Sequence, residues 1–232
     1  MNIANDHNAC PINGLTFAPE WSGTNIFLKS LPVADYMHEL YANEHPYVEN
    51  AAAIRRHTFS SGRYCARSLM LEAGLPATIL LRRANGAVLW PEGLIGSLSH
   101  TDEWAVAAIA LPAMCEAKQM GIDLERIKPL DDNVVKLIAH GAEREELAVA
   151  GAPEWHATAL FSFKESLYKC LASEYGQFIN FYDVEFTGLA GGRPSLRFKN
   201  ASLAGRYCAS QLELRMAVTP LHVFTLIWLR SD

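Results

Sequence analysis

Two carboxylates separated by one residue are the first feature of this 232-residue chain whose type and spacing could carry chemistry. Asp123 and Glu125 lie in an alternating stretch, so on a strand both side chains emerge on one face. Two like charges this close are costly unless a cation lies between them, and hard oxygen ligands favour Mg²⁺ or Mn²⁺. The alternative for an isolated pair is a solvated strand face. We expect Asp123 to face the surface and to contribute little packing.

A second candidate is the segment 161–169, which reads FSFKESLYK. On a helix, Phe163 and Leu167 belong to the buried stripe, whereas Glu165 and Lys169 are neighbours one turn apart on another face. A glutamate and a lysine held together could ligate a metal and neutralise a phosphate. The same pair could also be an ordinary surface ion pair.

Arginine is concentrated between residues 55 and 83, where six arginines accompany one acidic residue. Arg56, Arg63 and Arg67 follow one stripe of a predicted helix. Because guanidinium groups bind phosphate in a bidentate manner, such a stripe indicates a bound polyanion. A solvated helix face is the alternative.

Ser99 and His100 form the fourth feature. They precede a strand predicted over residues 104–111, which is apolar on both alternating faces and therefore buried. A hydroxyl beside an imidazole at a strand entrance can bind phosphate oxygens, although such a pair is also common in turns and caps.

The elements that must position these residues include both helices and strands, a mixed composition typical of the α/β (α+β) class. Gly74 supplies a stop for the first helix. The predicted helices are 49–73, one or two within 131–150, and 153–171. The predicted strands are 77–83, 104–111, 120–125, 207–217 and 222–229, and residues 1–47 are expected to be irregular.

Composition excludes several classes of protein. Half of the residues are hydrophobic and 19% are charged, which excludes wholesale disorder, and the net charge of −5 argues against a protein that coats nucleic acid. The longest apolar run, 104–115, is shorter than the roughly 20 residues of a membrane span. The five cysteines are widely spaced without a C-x-x-C pair, which favours a reducing compartment and no structural zinc. We therefore expect a soluble cytoplasmic protein without nucleic-acid or membrane partners.

Taken in order, four segments resemble the 4′-phosphopantetheinyl transferase family and, within it, the enterobactin-synthetase component D branch. They are FSSGRYCA at 59–66, WPEGLIGSLSH at 90–100, GIDLE at 121–125 and FSFKESLYK at 161–169. Each segment alone is weak, but four in this order and spacing make a strong resemblance over about half of the chain.

The resemblance implies an enzyme that moves the 4′-phosphopantetheine arm of coenzyme A to a serine of an acyl- or peptidyl-carrier protein, releasing 3′,5′-adenosine bisphosphate. Asp123, Glu125 and Glu165 would hold Mg²⁺, or Mn²⁺ in its place. Glu165 is the favoured base, directly or through a water, while Glu125 or a metal-bound water could take the proton instead. Lys169 would neutralise phosphate charge near the leaving group. The residues expected to contact coenzyme A are Arg55, Arg56, Gly62, Arg63, Arg82, Ser99, His100 and Lys169.

The resemblance also implies two similar α/β subdomains in a pseudo-twofold arrangement, with the ligand cleft between them. Residues 1–116 would carry the nucleotide contacts, and residues 117–232 the metal-binding carboxylates and the catalytic helix. We expect a monomer. The amphipathic stretch 130–138 is a candidate docking wall for the carrier protein, with ordinary core packing as its alternative.

Two other functions remain compatible with these residues. A Mg²⁺-dependent phosphodiesterase or nucleotide hydrolase could use the same three acids with an activated water. A non-catalytic module that binds coenzyme A or a carrier protein is the other. The resembled branch favours siderophore or other nonribosomal-peptide assembly, and fatty-acid and polyketide carriers stay open.

Overall fold

The computed structural model describes residues 25–113, 115–191 and 193–231, and the chain divides into two compact units, Met1–Glu116 and Ala117–Asp232. The mixture of helices and small sheets confirms the predicted α/β class. The α-helices are α1 (Ala53–Glu72), α2 (Asp132–Ile138), α3 (Ala142–Leu147), α4 (His156–Tyr175) and α5 (Ala201–Arg206). The strands are β1 (Ile26–Pro32), β2 (Ile95–His100), β3 (Trp104–Ala110), β4 (Ala117–Arg126), β5 (Val184–Thr187), β6 (Ser195–Phe198), β7 (Leu212–Val218) and β8 (His222–Arg230).

The first unit is an antiparallel sheet of order β1-β3-β2 with α1 packed on it. The central strand β3 is almost entirely buried, as its continuous apolar run predicts. Gly74 follows α1 with φ of +74°, a left-handed conformation that glycine adopts without strain and that ends the helix. The shared core of helix and sheet includes Cys65, Leu69 and Ile109.

The second unit contains an antiparallel sheet of order β4-β8-β7 with α4 packed across β4 and β8. A separate hairpin of β5 and β6 lies in the same unit. Leu160, Phe163 and Leu167 are buried on α4, as the predicted stripe requires. The core therefore fixes which face of α4 remains for polar chemistry.

The two three-stranded sheets share one connectivity. In each, the first strand along the chain pairs with the last strand, and the last pairs with the strand before it. A 20-residue helix follows the first strand of each sheet and packs on it. The pseudo-twofold arrangement of the two units stays a prediction.

Two expectations about local structure are wrong. Residues 26–32, expected to be irregular, form β1, which tolerates Pro32 because proline stands at the end of the strand; residues 1–24 lie outside the described residues. In the described chain, residues 77–83 are not a strand but hold a single bridge between Arg82 and Val88. The amide of Leu80 donates to the Glu44 carboxylate at 2.9 Å, so a side chain takes the place of a neighbouring strand.

Within the described ranges, no helix is long and apolar enough to cross a membrane.

Candidate functional site

The backbones of β4 and α4 come into contact at Gly121. A Cβ atom at this position would lie 1.9 Å from the carbonyl oxygen of Ser166 and 2.5 Å from the amide nitrogen of Cys170. Any larger residue would push the helix from the sheet. Because residues two apart on a strand share a face, this close approach directs Asp123 and Glu125 towards α4.

Asp123 and Lys169 form an ion pair at this interface. Lys169 Nζ donates to Asp123 Oδ1 at 2.7 Å. Asp123 is buried, with 3% of its surface exposed, so the expectation of a surface-facing carboxylate is wrong. The helix that covers β4 buries it, and the sequence pattern of β4 alone did not reveal that cover.

Glu125 and Glu165 are half-buried near this pair and interact electrostatically with it. Burial first, and then the negative charge of Asp123, raises the pKa of Glu125 to about 7, against the lowering effect of Lys169. Burial also raises the pKa of Glu165, with Lys169 opposing the shift and Asp123 adding to it. Both carboxyls therefore hold a proton more tightly than an exposed glutamate does, and Glu125 is suited to exchange one near neutral pH.

A buried hydroxyl network fixes the position of α4 beside Asp123. Thr225 pairs with Asp123 across β4 and β8. Its Oγ1 lies 2.8 Å from Ser162 Oγ and 2.7 Å from Ser166 Oγ, and all three side chains are fully buried. These bonds are directional, unlike apolar packing, so they restrict how α4 can rotate on the sheet.

The three carboxylates fit a hard divalent cation by their chemistry. Asp123, Glu125 and Glu165 offer only oxygen donors and together carry more negative charge than Lys169 neutralises. Among the described residues, no three or more Asp, Glu, His or Cys side chains lie close enough together to hold a metal ion as they stand. The structure thus brings these acids near one another without assembling a finished site.

Three arginines of the first unit repel one another. Burial and the charge of Arg82 lower the pKa of Arg55. Burial lowers the pKa of Arg63 to about 10, with Glu44 opposing the shift and Arg82 adding to it. Arg55 Nη1 lies 3.3 Å from Nε2 of His100. A cationic group of this kind is stabilised by an anion such as phosphate.

The predicted arginine stripe is only partly available for such an anion. Arg67 Nη1 donates to both oxygens of the fully buried Glu44 at 3.0 Å, and Arg63 Nε donates to the carbonyl of Leu80 at 3.0 Å. Both arginines are buried, so the interpretation of the stripe as a solvated face is wrong. Arg56, half-buried on α1, completes the stripe.

The other predicted coenzyme A contacts of the first unit lie on α1, on β2 and in the turn at residues 82–86. Gly62 is buried on α1, where a Cβ would lie 3.8 Å from Leu98 Cδ1. Ser99 and His100 are the last two residues of β2 and precede the buried strand β3, as the sequence predicts. Arg82 Nε donates to the carbonyl of Gly86 at 3.2 Å. The structure places these residues in the first unit and the carboxylates in the second.

Sequence reasoning missed a buried ion pair on α4. Lys164 Nζ donates to the Glu143 carboxylate at 2.9 Å and to the carbonyls of Ile138, Phe181 and Val184 at 2.6, 2.7 and 3.3 Å. The signal was present, because Lys164 follows Leu160 and Phe163 on the apolar stripe. A lysine on a buried stripe requires an acidic partner.

A groove of about 340 Å³ also lies in the second unit, at the start of α4. Glu146 and the buried His156 are its ionisable lining residues, and small residues of 150–152 and 188–191 form much of the rest. The groove contains none of the residues predicted to react. The candidate site is therefore the acid cluster of Asp123, Glu125 and Glu165, which is identified by its charges and contacts and not by a concavity.

Two protein families match separate parts of the chain. The family described as "4′-phosphopantetheinyl transferase N-terminal domain" matches residues 43–110. The family described as "4′-phosphopantetheinyl transferase superfamily" matches residues 119–225. The second match spans both Asp123 and α4, and the first spans α1 and β2.

Curated relatives carry related names. The chain is 35% identical over 170 residues to "4′-phosphopantetheinyl transferase Svp" of Streptomyces mobaraensis, covering 72% of this chain and 68% of that protein. It is 30% identical over 146 residues to "4′-phosphopantetheinyl transferase PptT" of Mycobacterium tuberculosis, covering 62% and 63%. It is 30% identical over 136 residues to "Enterobactin synthase component D" of Salmonella typhi, covering 57% and 55%.

Proposed function

Because this chain belongs to the 4′-phosphopantetheinyl transferase superfamily, an enzyme class that uses coenzyme A and acts on carrier proteins, we propose the following reaction for it. The hydroxyl oxygen of a carrier serine forms a bond to the phosphorus next to pantetheine. The bond from that phosphorus to the pyrophosphate bridging oxygen breaks, and 3′,5′-adenosine bisphosphate leaves. The serine proton passes to a carboxylate of the enzyme.

The observation that carries the proposal is the group of carboxyls around Lys169. Burial raises the pKa of Glu165 and raises that of Glu125 to about 7, so either carboxylate accepts a proton more readily than an exposed one does. We assign the base to Glu165, directly or through a water, with Glu125 as the alternative. Lys169 lies beside Asp123 and neutralises phosphate charge as the leaving group departs.

Asp123, Glu125 and Glu165 are the residues that would hold Mg²⁺ or Mn²⁺. When bound, the cation supplies charge neutralisation to the coenzyme A phosphates. The excess negative charge of the three side chains supports this assignment. Without a cation, protonation, Lys169 and, more weakly, Lys128 relieve the repulsion among these carboxylates.

Coenzyme A is assigned to the arginine-rich residues of the first unit. The mutual repulsion of Arg55, Arg63 and Arg82 supports phosphate binding there. The assigned contacts of coenzyme A are Arg55, Arg56, Gly62, Arg63, Arg82, Ser99, His100 and Lys169.

The carrier protein is assigned to α2 of the second unit. Val134 is 37% exposed and Leu137 is 51% exposed, whereas Ile138 at the end of the same helix is fully buried. The helix therefore combines a core contact with an outward apolar face, which supports a docking role within the stretch 130–138. The cytoplasmic location, the monomeric state and a role in siderophore or nonribosomal-peptide assembly belong to the same proposal.

One experiment separates this proposal from its competitors. The chain is incubated with coenzyme A, Mg²⁺ and a panel of apo-carrier domains, and the carriers are weighed by mass spectrometry. We expect one phosphopantetheinyl group on a carrier, and none on a carrier whose acceptor serine is alanine. Hydrolysis of coenzyme A with unmodified carriers would support the phosphodiesterase. Absence of any reaction would support the binding module.

A further inference from the structure

Lys169 occupies the place of a counter-ion at the acid cluster. Its ammonium group lies 2.7 Å from Asp123 Oδ1, and the Asp123 side chain is only 4% exposed. A buried carboxylate without a compensating charge is strongly disfavoured, so this contact stabilises the Asp123 carboxylate inside the fold. A divalent cation bound to the same carboxylate would perform the same task.

The Lys169 side chain is more exposed than that of Lys164 on the same helix. It is 28% exposed, whereas the Lys164 side chain is 2% exposed and lies among Glu143 and three backbone carbonyls. A partly exposed ammonium on a flexible four-carbon stem can exchange one anion for another at little cost.

Lys169 and a divalent cation would compete for the Asp123 carboxylate because of their charge and position. Lys169 and a divalent cation would both be attracted to Asp123, and Lys169 also acts on the charges of Glu125 and Glu165. Two cations bound close together repel each other, so a metal ion gains most when the ammonium moves to another anion. A coenzyme A phosphate is such an anion.

We propose that Lys169 is a resident counter-ion that competes with the metal for Asp123 and is released when a phosphate of coenzyme A accepts it. This inference rests on the proposed metal role of Asp123. It makes metal binding and coenzyme A binding mutually supportive, because each ligand removes what opposes the other. Lys169 is thus a positioning residue for the metal as well as a phosphate contact.

The test measures Mn²⁺ affinity by electron paramagnetic resonance without coenzyme A, at about pH 8.5, which lies above the pKa of about 7 of Glu125. We expect Lys169→Met to bind Mn²⁺ about tenfold more tightly than the wild type. The control is Lys128→Met, which removes an exposed positive charge that also acts on Glu125. The Mn²⁺ affinity of this control variant should stay within about twofold of the wild-type affinity.

The outcomes separate this inference from the proposed metal role. If the wild type binds Mn²⁺ and Lys169→Met binds it equally or more weakly, the counter-ion inference is overturned and the metal role stands. If neither protein binds Mn²⁺, the metal role itself fails and the inference falls with it. Thermal unfolding gives a second readout. Each protein is compared with itself with and without Mn²⁺, so a variant of lower stability can still be tested. Mn²⁺ should raise the melting temperature of Lys169→Met more than that of the wild type.

Discussion

Helix α4 carries two lysine–carboxylate pairs that differ in how completely their charges are balanced. Lys164 meets Glu143 and three carbonyls, and Glu143 in turn accepts the amides of His140 and Phe186 at 2.9 and 2.8 Å. The contacts of Lys164 tie α4 to the segments around it, and those of Glu143 hold the acidic partner in place. We interpret it as a structural anchor.

The Asp123–Lys169 pair lies in different surroundings. Glu125 and Glu165 add negative charge that one lysine does not neutralise, which is one reason that their pKa values are raised. A buried ion pair by itself therefore says little about function. We propose that the excess of negative charge around Asp123 and Lys169 is what separates the proposed reaction centre from a structural anchor.

The largest expected effect comes from breaking the balanced pair of Lys164 and Glu143. Lys164→Met leaves Glu143 buried without its cation, so we expect the free energy of unfolding to fall by about 3–5 kcal/mol. Urea denaturation measures this change. Lys136→Met removes an exposed lysine of α2 and should alter stability by less than about 0.5 kcal/mol. Equal stability of the two variants would remove the distinction between anchor and reaction centre.

The next largest effect comes from changing Glu165 in the group of carboxyls around Lys169. Glu165→Gln keeps the shape of the side chain but removes its basicity, so carrier loading should slow by about 10²–10⁴-fold. Melting temperature should change little, because Glu165 is half-buried and its ionisation is disfavoured in the fold. Mass spectrometry of the carrier over time gives the rate. A variant that loads the carrier at the wild-type rate would exclude Glu165 as the base.

A smaller effect concerns stability against pH. The pKa of Glu125 is raised from 4.5 to about 7, so the folded state binds this proton more tightly than the unfolded state does. The free energy of unfolding should therefore fall as pH rises between these two values, by on the order of 3 kcal/mol. Denaturation in the presence of EDTA at several pH values measures the slope.

Glu125→Gln is the matched control for that slope. The variant has no carboxyl to titrate at this position, so its stability should vary less with pH than that of the wild type. A slope of the same size in both proteins would show that Glu125 is not the group responsible.

The smallest effect concerns the cationic group of the first unit. Arg55→Ala should weaken coenzyme A binding by about tenfold while leaving the melting temperature nearly unchanged, because Arg55 is exposed. Isothermal titration calorimetry measures the affinity. Arg144→Ala, a surface change in the second unit, should leave it unaltered. Unchanged affinity in Arg55→Ala would remove this residue from the binding site.

Local patterns predicted some features of this molecule and could not predict others. The alternation at Asp123 and the helical spacing of Glu165 and Lys169 predicted that these groups would share a face, because both depend on the periodicity of one element. The hydrogen bond of Glu44 to Leu80, 36 residues away, depends on tertiary packing that no local pattern encodes. The same reason explains why residues 77–83, predicted as a strand, hold only the bridge between Arg82 and Val88.

The proposed reaction depends most directly on whether the carboxylates of Asp123, Glu125 and Glu165 hold a metal. Electron paramagnetic resonance can count Mn²⁺ ions bound by the wild type, by Asp123→Asn and by Asp132→Asn, an exposed change on α2. We predict that the wild type and Asp132→Asn bind the ion alike and that Asp123→Asn loses most of its affinity. Equal binding by all three proteins would contradict the assignment of the reaction centre to Asp123 and its neighbours.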